Sequence, residues 1–228
     1  ATASQTNTSA LTPSATGTQT RLAIHQASAA SAAGASRIAA WTPAGRRRGR
    51  HAHRPAATAT AATERTARGA AQVVQSALRY GDRAGLVALG SRNTRWLGAD
   101  IGQRQFYRIL DTMLGAADTY ETATGTLAPN PAVPTGAIVI AFSTMLDTEF
   151  VLALIDLRKR GHPVVAVDVL VGSPVEGDHD PLVHRMWSMQ RSFMYRDMAT
   201  VGVDIVAWPG DATLDQAMAL VPVHRSRR

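Results

Sequence analysis

Residues 137–142 (AIVIAF) and 163–170 (PVVAVDVL) are two short apolar runs separated by a segment of helical composition. A continuous apolar run of this length is typical of a strand that is covered on both faces. The segment between them, 148–160, ends in three basic residues, which suit the negative end of a helix, and Gly161 follows as a stop. A strand, a helix and a second strand in this order predict a right-handed crossover and a parallel sheet.

The same alternation continues on both sides of this unit. Further helices are predicted over 66–80, 102–114 and 181–200, with a last short helix after a capping box of Thr213 and Gln216. Further strands are predicted over 83–90, 94–97 and 203–207. Together these elements predict an α/β fold with a doubly wound, mostly parallel sheet. Ligands of such sheets bind in the loops beyond the carboxyl ends of the strands.

The N-terminal part has a different composition. Residues 1–63 contain seven arginines and no acidic residue, whereas all 17 acidic residues lie at or after Glu64. The segment is dominated by Ala, Thr and Ser, so it has too little apolar surface to offset the entropy of ordering. We therefore predict a disordered, low-complexity basic tail over 1–62, a domain over 63–221 and a basic C-terminal tail over 222–228.

Composition excludes several classes of function. The chain has no cysteine, so thiolate chemistry and disulfides are excluded. No glycine-rich phosphate loop and no nucleophile elbow is present, so we expect no enzyme activity and no cofactor. The arginine cluster at 46–54 leaves open nucleic-acid binding by a basic arm, although a solvated tail is the favoured interpretation. The longest apolar run has about six residues, so we expect no membrane span and a cytoplasmic protein.

Three further features have a structural and a functional interpretation. The pair His51 and His53, and the acidic loop 176–180, resemble cation sites only in residue type, and we expect solvated segments. Asp168 lies in an apolar strand, where a carboxylate is costly unless it is hydrogen-bonded, so we interpret it as a satisfied structural group. The helix over 181–200 is rich in large apolar residues that either pack on the sheet or form an adaptable protein-binding surface.

A longer resemblance is carried by five stretches. They are GDRAGLVALG (81–90), RWLGADIGQRQFYRILDTMLG (95–115), GTLAP (125–129), the whole of 137–170, and MYRDMATVGVDIVAWPGD (194–211). They resemble the actinobacterial branch of the domain of unknown function fifty-eight family over about residues 63–221. The resemblance implies a von Willebrand factor A-like (Rossmann-type) domain, a MoxR-type AAA+ ATPase as partner, and a membrane anchor in many relatives.

Metal-binding domains of this type carry a DxSxS motif after the first strand, a threonine loop and a late aspartate. Transferred to this chain, the resemblance implies the threonine loop at Thr124 and Thr126, and Ser143 or Thr144 in the place of the late aspartate, with Asp147 close behind. The DxSxS motif has no counterpart here. Hydroxyls and one carboxylate form a poor divalent site, so we expect these five residues to be a degenerate binding site without a metal.

The family's first strand should precede the helix that begins near Thr66, and residues 40–62 contain no apolar run to supply it. We therefore expect a fold that is incomplete at the N-terminus, unless residues 21–24 (RLAI) supply a substitute strand. The hypothesis is that residues 1–62 replace the family's N-terminal part through truncation or a change of frame. The expected function is a non-catalytic interaction module; the alternatives are nucleic-acid binding by the basic arm and a partly non-functional product.

Overall fold

A computed structural model of the chain describes residues 19–25, 57–89, 93–115, 121–172 and 181–219, with the backbone alone for 19–25, 57–60 and 93. The strands are β1 Gln19–His25, β2 Arg83–Leu89, β3 Asn93–Asp100, β4 Glu121–Thr124, β5 Ile138–Ser143, β6 Val164–Asp168 and β7 Asp204–Ala207. The helices are α1 Ala57–Arg79, α2 Gly102–Met113, α3 Thr148–Lys159, α4 Pro181–Thr200 and α5 Leu214–Met218, with a short 3-10 turn at Asn130–Ala132.

The seven strands form one sheet in the order β4-β3-β2-β1-β5-β6-β7. Strands β2, β1, β5, β6 and β7 are mutually parallel, β3 is antiparallel to β2, and β4 is antiparallel to β3. The predicted α/β fold is confirmed, with a mixed sheet. The strand β4 was not predicted, because four polar and small residues (ETAT) carry no strand periodicity.

The centre of the sheet corrects the expectation that the fold is incomplete at its N-terminus. Strand β1 lies between β2 and β5 and pairs with both, so the sheet does not lack its central strand. The sequence left open either an incomplete fold or a substitute strand from residues 21–24, and the structure has the substitute strand. Without β1, the facing edges of β2 and β5 would leave rows of backbone N–H and C=O groups unpaired, which explains why a strand of modest apolar content is used.

Helix α1 also begins earlier than expected, at Ala57 instead of Thr66. Within the range 1–62, for which a disordered tail was predicted, the structure describes residues 19–25 as a strand and residues 57–62 as part of α1, and the rest of that range lies outside the described residues. Helix α1 extends beyond its expected start because alanine is the best helix former, so an alanine-rich segment can lengthen a helix that already packs on a sheet without an apolar period of its own.

Helices cover both faces of the sheet, and each face has its own core. On one face α1, α2 and α5 pack around Phe142; on the other, α3 and α4 pack around Val139 and Ala141. Alternation of side chains along β5 sends Phe142 and Ala141 to opposite faces, as a two-residue period requires. The continuous apolar run in β5 is thus explained by a strand with a core on each side.

The predicted helix ends are confirmed where local chemistry sets them. Gly81 and Gly161 follow α1 and α3 with φ angles of 81° and 90°. At each glycine the amide donates to the residue three back, and the next amide donates to the residue five back. This pattern uses carbonyls that a helix end leaves unpaired. The capping box of Thr213 and Gln216 at α5 is likewise present. None of the helices in the described ranges is both long and apolar enough to cross a bilayer.

Candidate functional site at the carboxyl edge of the sheet

Three of the five implied site residues lie together where β5 ends. Ser143 and Thr144 are buried, and the Ser143 hydroxyl accepts a hydrogen bond of 3.0 Å from the amide of Met145. Asp147 is the N-cap of α3, and its carboxylate accepts a hydrogen bond of 2.9 Å from the amide of Glu149. Both side chains therefore hold the loop between β5 and α3 in a fixed shape, a role that needs no ligand.

The other two implied residues are on the far side of the sheet. Thr124 ends the outermost strand β4, and Thr126 begins the segment that follows it. Three strands separate β4 from β5, so at about 4.8 Å per strand the ends of β4 and β5 are about 19 Å apart. The structure thus divides the implied site into two groups. The hydroxyl of Thr94 on β3 donates to the Gly125 carbonyl at 2.7 Å and fixes the turn between the two threonines.

A polar cluster that the resemblance does not imply lies beside Ser143. Asp168 ends β6 in register with Ser143 and is 8% exposed. One carboxylate oxygen accepts from the Leu170 amide at 3.0 Å, and the other accepts from the Arg191 guanidinium at 2.5 Å and from the Tyr195 hydroxyl. The expectation that the Asp168 carboxylate is hydrogen-bonded is confirmed, because three donors converge on it.

Arg191 and Tyr195 reach the sheet from α4, where they are four residues apart on one face of the helix. The guanidinium of Arg191 lies 5.4 Å from the ring centre of Trp187 and 5.1 Å from that of Tyr195. It therefore pairs with a carboxylate at its end and contacts aromatic rings on its flanks. The cluster joins α4 to the end of β6 through a buried ion pair.

Burial raises the pKa of the Tyr195 hydroxyl well above its ordinary value of 10.0, and the charge of Asp168 and the hydrogen bond that Asp168 accepts add to this rise. We expect Tyr195 to stay protonated as long as the chain is folded. In an ultraviolet titration of tyrosine ionisation, wild type and Tyr195→Phe should give equal amplitudes below the pH of unfolding. In denaturant they should differ by one tyrosine.

The raised pKa also has a consequence for stability. An acid whose pKa is higher in the folded state favours folding below the unfolded value, and this contribution is lost as the pH rises above about 10. Alkaline unfolding of Tyr195→Phe should therefore depend less steeply on pH than that of wild type. A smaller titration amplitude for folded Tyr195→Phe would contradict this account.

A second arginine, Arg65 on α1, contacts the loop that follows β7 at the same edge of the sheet. One nitrogen of Arg65 donates to the carbonyls of Trp208 and Pro209 at 2.8 and 3.2 Å, and its guanidinium lies 4.2 Å from the centre of the Trp208 ring. Burial, followed by the like charge of Arg68, lowers the pKa of Arg65 from its ordinary value. The Trp208 amide donates to the Asp168 carbonyl at 3.1 Å, so this backbone hydrogen bond connects the contacts of Arg65 with those of Arg191.

The cluster can hold loops together, and its geometry offers no activated nucleophile. Each oxygen of Asp168 accepts hydrogen bonds from donors, and the raised pKa of Tyr195 keeps its hydroxyl protonated, so it cannot accept a proton as a base. Within the described ranges, no group of three or more histidines, aspartates or glutamates is arranged to hold a metal. The arginine cluster 46–54, the pair His51 and His53, and the acidic loop 176–180 all lie outside the described residues.

Sequence reasoning missed Arg65 and Arg191, and the reason differs for each. Arg191 could have been found from its helical spacing to Tyr195 and Met198, which together define an inward face of α4. Arg65 donates to carbonyls 143 and 144 residues away, so its role has no local signal.

No family model, curated protein or solved structure matches the chain.

Proposed function

We propose that the chain is a non-catalytic protein-interaction module with a von Willebrand factor A-like domain, and that its partner is a MoxR-type AAA+ ATPase. The observation that carries the proposal is the sheet order: a central β1 flanked by β2 and β5, with helices on both faces. This is the arrangement that the resemblance leads one to expect, reached with a first strand that lacks the family's metal motif. We also propose a cytoplasmic location, where an ATPase partner has its nucleotide.

The use of the polar groups at the carboxyl edge supports binding over catalysis. Ser143, Asp147 and Asp168 all accept hydrogen bonds from backbone amides near them in sequence. These hydrogen bonds stabilise one conformation of the loops. A rigid edge of this kind suits recognition, because loops that are already ordered lose little entropy on binding.

Leu146 is the best candidate for a contact residue on this edge. It is 37% exposed and lies between Met145, which is buried with a φ of 54°, and the helix cap Asp147. An apolar side chain is thereby presented to solvent on a fixed backbone. An apolar side chain that is already held in one position loses little entropy when a partner binds, so Leu146 is suited to a contact role.

The test is retention of a MoxR-type AAA+ ATPase from the same organism by the immobilised chain, with and without Mg²⁺ and ATP. Wild type and the control Leu152→Asp, an equally apolar exposed position on α3, should retain it. Leu146→Asp should weaken binding by about tenfold or more, because a charge replaces an apolar contact. Failure of wild type to retain the ATPase in either condition would overturn the proposal. Equal retention by Leu146→Asp would remove the contact role of Leu146 alone.

A further inference from the structure

Helix α4 has two apolar faces, and among the described residues only one of these faces packs on the rest of the domain. The inward face consists of Trp187, Arg191, Met194, Tyr195 and Met198. The opposite face carries four large apolar residues, here called the outer stripe: Leu182, Met186, Met189 and Phe193. Met198 is the one fully buried residue among the twenty of this helix. An ordinary surface helix has one apolar face, so the outer stripe needs a separate explanation.

The outer stripe is continuous and exposed. Its members are 59%, 62%, 50% and 53% exposed in chain order, and their spacing of four, three and four residues places them on one line along the helix. Single exposed apolar residues are common on protein surfaces and need no explanation, but a contiguous line of them indicates an interface.

We propose that the outer stripe binds the outer stripe of a second copy of this chain in an antiparallel, two-fold symmetric helix pair. The spacing of four, three and four is the same in both directions. A two-fold axis that passes midway between Trp187 and Ser188 therefore brings Leu182 opposite Phe193 and Met186 opposite Met189. A symmetric dimer requires such a self-complementary surface. The inference does not depend on the ATPase partner.

The charges around the outer stripe permit this pairing. In the antiparallel arrangement, Arg185 lies beside Ser192 of the second copy, and Val183 lies beside Gln190 of the second copy. No like charges are thus placed directly opposite one another along the paired length. Of the other arginines on α4, Arg191 points inward to Asp168 and is neutralised there, and Arg196 lies beyond the paired length with its guanidinium 5.9 Å from the centre of the Phe193 ring. The antiparallel orientation also places the positive end of each helix dipole beside the negative end of the other.

The area of the outer stripe predicts a weak dimer. Four half-exposed side chains offer about 100 Å² each, so two copies bury roughly 800 Å² of apolar surface, with the rims adding to this. That total lies at or below the lower end of specific protein–protein interfaces. We therefore expect dissociation in the range of tens of micromolar and a monomer at low concentration.

The test is sedimentation equilibrium of the full chain over about a hundredfold range of concentration around that value. The average mass of wild type should rise from 24.2 kDa towards twice that value. Met186→Lys and Met189→Glu should each stay monomeric, and the control Leu152→Lys should behave as wild type. Thermal melting followed by circular dichroism checks that the variants are folded. We expect them to fold, because the substituted side chains are half exposed. A wild type that stays monomeric throughout would overturn the proposal, as would dimers of both single variants.

Mixing the two variants tests the register. An equimolar mixture of Met186→Lys and Met189→Glu places a lysine opposite a glutamate at one contact and keeps Met opposite Met at the other. We expect the mixture to regain at least about tenfold in association over either variant alone, because one charge pair replaces two unpaired charges. A mixture no heavier than its two components would overturn the antiparallel register.

Discussion

Gly69→Ala should destabilise the domain by about 2 kcal/mol, although alanine is a better helix former than glycine. Gly69 lies within α1, and a Cβ atom there would be 2.6 Å from Cε1 of Phe142 and 2.8 Å from Cζ3 of Trp208. Both rings are buried, and Trp208 is held by its indole hydrogen bond to Ala212 and by Arg65. Neither ring can move away without disturbing the core, so overpacking exceeds the gain of about 1 kcal/mol in helix propensity.

The measurement is urea unfolding followed by circular dichroism. Gly98→Ala is the matched control, because a Cβ atom at Gly98 meets nothing within 4 Å and its change in stability should be within about 0.5 kcal/mol. In a domain of this size, the loss at Gly69 should lower the melting temperature by about 4–8 °C. A Gly69→Ala protein as stable as wild type would show that α1 does not approach the sheet this closely.

Asp168→Asn should lower the free energy of unfolding by about 3–5 kcal/mol, although the two side chains have nearly the same size. The side chains of Asp168 and Arg191 are 10% and 12% exposed, so the substitution leaves a buried guanidinium without its counter-charge. The Tyr195 hydroxyl loses a charged acceptor at the same time. Desolvation of an unpaired cation is costly, and this cost dominates the result.

The control is Asp156→Asn, since Asp156 pairs with Arg160 on α3 with side chains 38% and 23% exposed. Its loss should be about 1 kcal/mol or less, because a partly solvated pair contributes little. The double variant Asp168→Asn with Arg191→Met should recover part of the lost stability, since it removes the unpaired cation. If the double variant were less stable than Asp168→Asn alone, the ion pair would not be the cause.

Local chemistry was predictable from sequence to a large extent. The strand β5 and the helix α3 were expected close to their observed bounds, because an apolar run, a cap and a glycine stop act within a few residues. The interpretation of Asp168 as a satisfied carboxylate was also accessible, since a carboxylate in an apolar strand demands donors. The start of α1 was missed by nine residues, because alanine shows no periodicity that marks a boundary.

Long-range pairing was beyond the sequence. The segment Gln19–His25 has few apolar residues and no helix or strand period around it, yet it forms the central strand, because the edges of β2 and β5 supply its hydrogen-bond partners on both sides. Two of the three hydrogen-bond partners of the Asp168 side chain likewise come from a helix that begins 13 residues later. From α1 onward, and apart from β4, the sequence determined the order of helices and strands, and it also indicated which groups need a partner. Tertiary structure alone decided which partner each group received, because hydrogen bonding and packing across the sheet join residues far apart in the chain.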